Sequence, residues 1–231
     1  MTVPVIAIDG PSGSGKGAIT HMLAKTLGFH ILDSGALYRL IGLAARRKAI
    51  SFDAEPELAV LAADLNIEFR STDDAEEPIR IYLDDQDVTQ DLRTDEAGTD
   101  ASRVAPLASV RDAIKLLQQN FRQSPGLIAD GRDMGTVVFP NADLKIYLTA
   151  SAEARAERRY KQLIDKDIGV SLHDLFLSIQ ERDERDMNRE VAPLVPAEDA
   201  HVIDSTELGI EEVFAQVLAL TKKALQRDSE D

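Results

Sequence analysis

The run Val3-Pro4-Val5-Ile6-Ala7-Ile8 is continuously apolar and stops at Asp9-Gly10, the pattern of a strand buried on both faces that ends in a turn. Helical spacing follows at once. Ile19, Met22, Leu23, Ala24 and Leu27 recur on one face between Lys16 and Leu27, and Gly28 predicts the stop. A second cycle has Phe29-His30-Ile31-Leu32 as strand, Asp33-Ser34-Gly35 as loop and Ala36 to Lys48 as helix. Two such cycles predict parallel strands joined by right-handed crossovers.

Between about Leu65 and Leu92 the period changes to two. Ile67, Phe69, Ile79, Ile81, Leu83 and Val88 alternate with polar residues, which predicts a small antiparallel hairpin or meander with one solvated face. The acidic run from Ser71 to Pro78 inside it reads as a solvated loop rather than a metal site. A helical region from about Thr94 to Gln123 follows, then a buried strand, Leu127-Ile128-Ala129-Asp130, and a further strand, Leu144 to Leu148. The charged tract from Ser151 to Arg189 predicts two helices separated near Gly169, and His201 to Asp204 with Gly209 to Leu225 adds a last strand and helix.

Composition narrows the chemistry. The 231 residues are enough for one substantial core, and 5% aromatics without Trp suit an aliphatic α/β interior. Cysteine is absent, which excludes disulfides, thiolate metal sites and a cysteine nucleophile. The start Met1-Thr2-Val3-Pro4 lacks the basic region of a secretory signal and no apolar run is long enough for a membrane span, so the expectation is a cytoplasmic protein. A formal charge of −15 disfavours nucleic acid or an anionic membrane as partner, so phosphates must be held by local cations and amides.

Gly10-Pro11-Ser12-Gly13-Ser14-Gly15-Lys16-Gly17 stands between a predicted strand and a predicted helix, the setting of a P-loop. There the glycines let successive amides turn around a phosphate at the positive end of the helix, and Lys16 adds a point charge. Gly17 stands where the general pattern has Ser or Thr, so a direct hydroxyl ligand to Mg²⁺ is missing. This GKG resembles the nucleoside monophosphate kinases. They commonly continue with Thr, whereas this chain has Ala18, a departure expected to lower nucleotide affinity somewhat.

Three further clusters fall near predicted strand ends, where ligands of open parallel sheets bind. In Asp33-Ser34-Gly35-Ala36-Leu37-Tyr38-Arg39, Arg39 is placed on a first helical turn, either to clamp a monophosphate or as a surface residue after a helix cap. Tyr38 either stacks on a base or packs. Asp130-Gly131-Arg132-Asp133-Met134-Gly135-Thr136 brings two acids and an Arg to the same edge, as ligand groups or as a loop cap. Arg155, Arg158, Arg159, Arg182, Arg185 and Arg189 recur at helical spacings among Asp183 and Asp186, which suits intrahelical ion pairing or neutralisation of a migrating phosphoryl group. His21, His30, His173 and His201 form no metal pattern.

Taken in order, these segments, with Ala129 to Pro140 and Arg182-Asp183-Glu184-Arg185-Asp186-Met187-Asn188-Arg189, resemble the bacterial cytidylate kinases over nearly the whole chain. The resemblance implies an α/β P-loop kinase core, a parallel β-sheet flanked by helices, with a small inserted antiparallel β lobe and a helical lid. It implies one domain over 1–231, with core about 1–64 and 124–231, a substrate-binding insert about 65–123 and a lid about 151–170. The implied activity is Mg²⁺-dependent transfer from ATP to CMP or dCMP, with no nucleic acid, membrane or protein partner.

By the same resemblance, Gly10, Pro11, Ser12, Gly13, Ser14, Gly15, Lys16, Gly17 and Ala18 hold ATP, while Ser34 and Arg39 belong to the monophosphate pocket with Tyr38 beside them. Ser102, Arg111, Asp133 and Arg189 match base-recognition positions, and Arg182 and Asp186 match sugar contacts. Arg132 matches a phosphate-side arginine, and Arg155, Arg158 and Arg159 match a lid over ATP. Lys16, Arg132, Arg155, Arg158, Arg159 and Arg182 are the implied catalytic set, and Mg²⁺ rests mainly on phosphates and water. A carboxylate such as Asp133 can accept from the cytosine amino group, whereas uracil leaves it unsatisfied. A kinase for UMP, AMP or another small acceptor, and a nucleotide-dependent switch, are the competing readings. The absence of an Asn-Lys-x-Asp motif and the Arg-rich tract count against the switch.

Overall fold

The computed structural model describes residues 3–72, 79–164 and 169–227. The elements run β1 (Val5–Asp9), α1 (Lys16–Leu27), β2 (His30–Asp33), α2 (Ser34–Arg47), α3 (Glu55–Ala63), β3 (Ile67–Ser71), β4 (Ile79–Leu83) and β5 (Gln86–Asp87). Then come α4 (Asp95–Val104), α5 (Ala108–Asn120), β6 (Leu127–Gly131), β7 (Leu144–Thr149), α6 (Ala152–Ile164), α7 (Leu172–Met187), β8 (His201–Asp204) and α8 (Ile210–Arg227). Met134–Val138 adds a π-helical turn after β6. The chain forms two compact units, Met1–Leu32 with Phe121–Asp231, and Asp33–Asn120.

The first unit is built on a five-stranded sheet of order β2-β6-β1-β7-β8, in which β1 pairs parallel with β6 and β7, and β7 with β8. All five residues of β1 are buried, as a central strand covered on both faces requires. Ile6, Ile8, Ile128, Ile146 and Leu148 of the strands pack with Ile19 and Leu23 of α1 and Val213 and Val217 of α8. Each such side chain contributes about 1.5–3 kcal/mol relative to exposure. Gly28 ends α1 in a left-handed conformation, φ 70°, its amide donating to Ala24.

The second unit holds paired helices, α2 with α4 and α3 with α5, and a three-stranded antiparallel sheet of order β3-β4-β5. A Cβ at Gly42 of α2 would lie 2.6 Å from the Cβ of Asp100, so only glycine lets α2 and α4 approach this closely. The buried Asp100 is then met bidentately by Arg46. This unit takes in α2 and α3 as well as, up to Asn120, the stretch about 65–123 expected as an insert, because α2 packs on α4 and α3 on α5.

Two sequence expectations change and one helix is new. The region from Thr94 to Gln123 is two helices, interrupted around Pro106, whose ring cannot continue an interior turn. The helix α3 carried no expectation, since Pro56 at its first turn and a weakly amphipathic pattern masked it. α2 opens at Ser34, so Arg39 lies on its second turn and not its first. The acidic segment 73–78 and, within the lid span, residues 165–168 lie outside the described residues.

Candidate active site

In the first unit the loop between β1 and α1 has Gly10, Gly13 and Gly15 at positive φ, 153°, 78° and 94°. At Gly10 any side chain is excluded, because a Cβ would sit 2.0 Å from the Leu148 carbonyl oxygen. Two carbonyls of this loop are met by side chains of α6 and of the segment after β8. Arg155 Nη1 donates to Ser12 at 3.1 Å, and the Ser205 hydroxyl, which accepts from Arg158 Nη1 at 3.2 Å, shares its one proton between the carbonyls of Thr149 at 3.0 Å and Ser14 at 3.3 Å. A trans peptide then turns the N–H groups of Gly13 and Gly15 to the opposite side.

α1 begins with no side-chain cap and no acid in its first turn, so its first amides and positive end are open to an anion. Ser14 Oγ is buried and has no hydrogen-bond partner among the described residues, a spare donor inside the loop. Lys16 is buried, its Nζ 3.1 Å from the Pro11 carbonyl and 3.9 Å from Asp130 Oδ1. These donors fit a polyphosphate. Asp130 at the end of β6 offers an acceptor to water on a hydrated cation, and Gly17 offers none.

Asp9, the last residue of β1, accepts from the amides of Met134 and Gly135, each at 2.8 Å. Burial pushes its carboxyl up to about 6, against the lowering effect of those two amides. Asp133 is buried beside it. Farther out, the buried Asp186 of α7 accepts from Arg132 Nε at 3.0 Å and from Arg189 Nη2. Burial alone would raise the Asp186 carboxyl, but Arg132 and Arg189, with Arg182, outweigh it and hold it below the usual carboxylate range. Arg182 is half-buried on the same helix.

Arg155 is itself buried and forms a bidentate pair with Asp183. Arg158 is joined to both the hydroxyl and the carbonyl of Ser205. Two arginines expected over ATP therefore brace the phosphate loop from behind, and Arg159 lies half-buried on the same helix. Tyr147, paired in register with Asp9 on β7, has its phenol pushed up by burial and by the charges of Asp183 and Asp9.

In the second unit Ser34 is buried at the start of α2, where Asp33 caps the helix through Ala36 N at 3.0 Å. Arg39 Nη1 donates to Leu92 at 3.1 Å. Tyr38 is packed rather than open for stacking, its hydroxyl accepting from Arg111 Nη1 at 2.9 Å. Ser102 Oγ donates within its own helix, to Gly98 at 3.0 Å.

Sequence reasoning missed Asp9, Asp183, Tyr147 and Ser205. An acid immediately before a glycine-rich loop and a Ser directly after the last strand are the only signals that marked two of them.

A family model described as Cytidylate kinase matches residues 6–223. A curated cytidylate kinase of Aeromonas hydrophila subsp. hydrophila is 54% identical over 222 residues, 96% of this chain and 95% of the relative. Another, from Shewanella amazonensis, is 55% identical over 216 residues, 94% and 93% of the two chains. A solved gluconokinase structure from Sinorhizobium meliloti 1021 aligns over 99% of this chain and 97% of its own, with 16% identity and a TM-score of 0.46. On the strength of the family match and of relatives more than half identical over nearly their full length, the chain belongs to the cytidylate kinase family.

Proposed function

We propose that this protein transfers the γ-phosphoryl group of ATP to CMP or dCMP, giving ADP and CDP or dCDP. The observation that carries the reading is the buried Lys16 ammonium inside a glycine-turned loop at the uncapped start of α1. An oxygen of the acceptor monophosphate attacks the γ-phosphorus in line as the bond to the β–γ bridging oxygen breaks. That oxygen is already a nucleophile, so no general base is needed. Lys16, Arg132, Arg159 and Arg182 neutralise the migrating group. Arg155 and Arg158 keep the loop amides aimed by holding Ser12 and, through Ser205, Ser14.

Ser34 and Arg39, with Tyr38 beside them, take the acceptor phosphate, and Ser102, Arg111, Asp133 and Arg189 read the base. Arg182 and Asp186 reach the sugar. The segment about 65–123 acts as the substrate-binding insert and about 151–170 as the lid. Mg²⁺, when bound to ATP, draws charge from the β- and γ-phosphates. Asp130, 3.9 Å from Lys16 Nζ, would accept from a water of that ion. The reaction belongs to the cytoplasm, an assignment supported by the cysteine-free sequence, and no helix of the described residues is long and apolar enough to cross a membrane.

The test is ADP release with Mg-ATP and, in turn, CMP, dCMP, UMP and AMP. Turnover with CMP well above UMP and AMP is expected. Nucleotide binding without acceptor-dependent turnover would favour a switch.

A further inference from the structure

We infer that Asp9 is a positioning residue for selection of the acceptor nucleotide: by capping the amides of Met134 and Gly135 it fixes the turn that carries Arg132 and Asp133. This rests on the proposed role of Asp133 at the base.

The geometry is over-determined around Asp133. Its carbonyl accepts from Val137 at 2.9 Å and Val138 at 3.2 Å, opening the π-helical turn, and Phe139 N donates to Met134 at 2.7 Å. A wide turn of this kind is uncommon and concentrates at functional sites. The next two amides are each held by one oxygen of Asp9, 2.8 Å away. The backbone leaving Asp133 is thereby held through its own carbonyl and through the next two amides, with the residue at φ −144° and ψ 22° and its side chain buried.

Only a carboxylate fits the task. An Asn at position 9 would turn an amino donor toward one of the two N–H groups, and a Ser would fall short. Space is tight as well, since a Cβ at Gly135 would lie 3.3 Å from Asp9 Oδ2 and 3.2 Å from the Lys145 chain. Asp9 also sits where the backbone enters the phosphate loop, with Gly10 next in line. One residue thus ties the acceptor loop by its side chain and the donor loop by its main chain.

The experiment compares Asp9→Asn, Gly135→Ala and Asp133→Ala with the parent for CMP, UMP and ATP kinetics, with thermal melting alongside. Asp9→Asn is expected to raise KM for CMP about tenfold and shrink the preference for CMP over UMP, as misplaced polar recognition does, while KM for ATP moves far less. A folded Asp9→Asn enzyme with CMP kinetics and selectivity intact overturns the proposal, and so does an equal rise for both nucleotides. Should Asp9→Asn fail to fold, Gly135→Ala decides by the same reading. Selectivity kept in Asp133→Ala would instead overturn the role of Asp133. Selectivity lost there but kept in Asp9→Asn overturns the role of Asp9 alone.

Discussion

Arg155 and Asp183 meet as a two-pronged ion pair joining α6 to α7, and the same guanidinium donates to the Ser12 carbonyl at 3.1 Å. Removing one partner of a buried pair leaves the other uncompensated, at about 3–5 kcal/mol. Asp183→Ala should therefore lower the unfolding free energy by about 3 kcal/mol. Urea titration followed by circular dichroism measures it, and a loss under about 1 kcal/mol would mean the pair behaves as an exposed one.

Asp186 makes stability depend on acidity. Its carboxyl is held low in the fold, so its contribution is complete above the unfolded value near ~4 and declines as pH falls through the lower folded value. The stability gap between the parent and Asp186→Asn should be flat from about pH 5 to 7 and narrow below about 4. A gap that widens in acid would contradict the pairing with Arg132 and Arg189.

Lys16→Met should lower kcat by about 10²–10³, the usual effect of deleting one preorganised electrostatic partner of a transition state. The acceptor KM should move little. Rapid-quench measurement with saturating CMP separates the two, and near-parental turnover would remove Lys16 from the transfer step.

These effects bear on how far the sequence could be read. β1 and β6 were legible because strands buried on both faces leave apolar runs, β7 because its run is broken only by Lys145, and the phosphate loop because its spacing is rigidly set by the turn it makes. Asp9 was not, since its partners lie 125 and 126 residues away and a carboxylate capping backbone leaves no periodic trace. Nor was the division of labour among the arginines. Arg155 and Asp183 stand 28 residues apart on two helices, so helical spacing alone suggested neighbours along one helix, whereas packing chose a partner across two.

Ala18 lies exposed on the first turn of α1, with room for a larger side chain. Ala18→Thr should supply one hydroxyl donor to a bound phosphate and lower KM for ATP about threefold, from a hydrogen bond worth about 0.5–1.5 kcal/mol. Steady-state ATP titration checks it, and an unchanged KM would show that the amides already satisfy that oxygen.

The arrangement of Arg132, Arg189 and Asp186 also bears on how an anion arrives. Both cations are already engaged by the chain's own acid, in a protein of formal charge −15. If an oxyanion of the substrate is captured there, one acid is exchanged for another against the long-range repulsion of the protein's own charge, so encounter rates should rise as added salt screens that repulsion, and discrimination should be exerted at close contact.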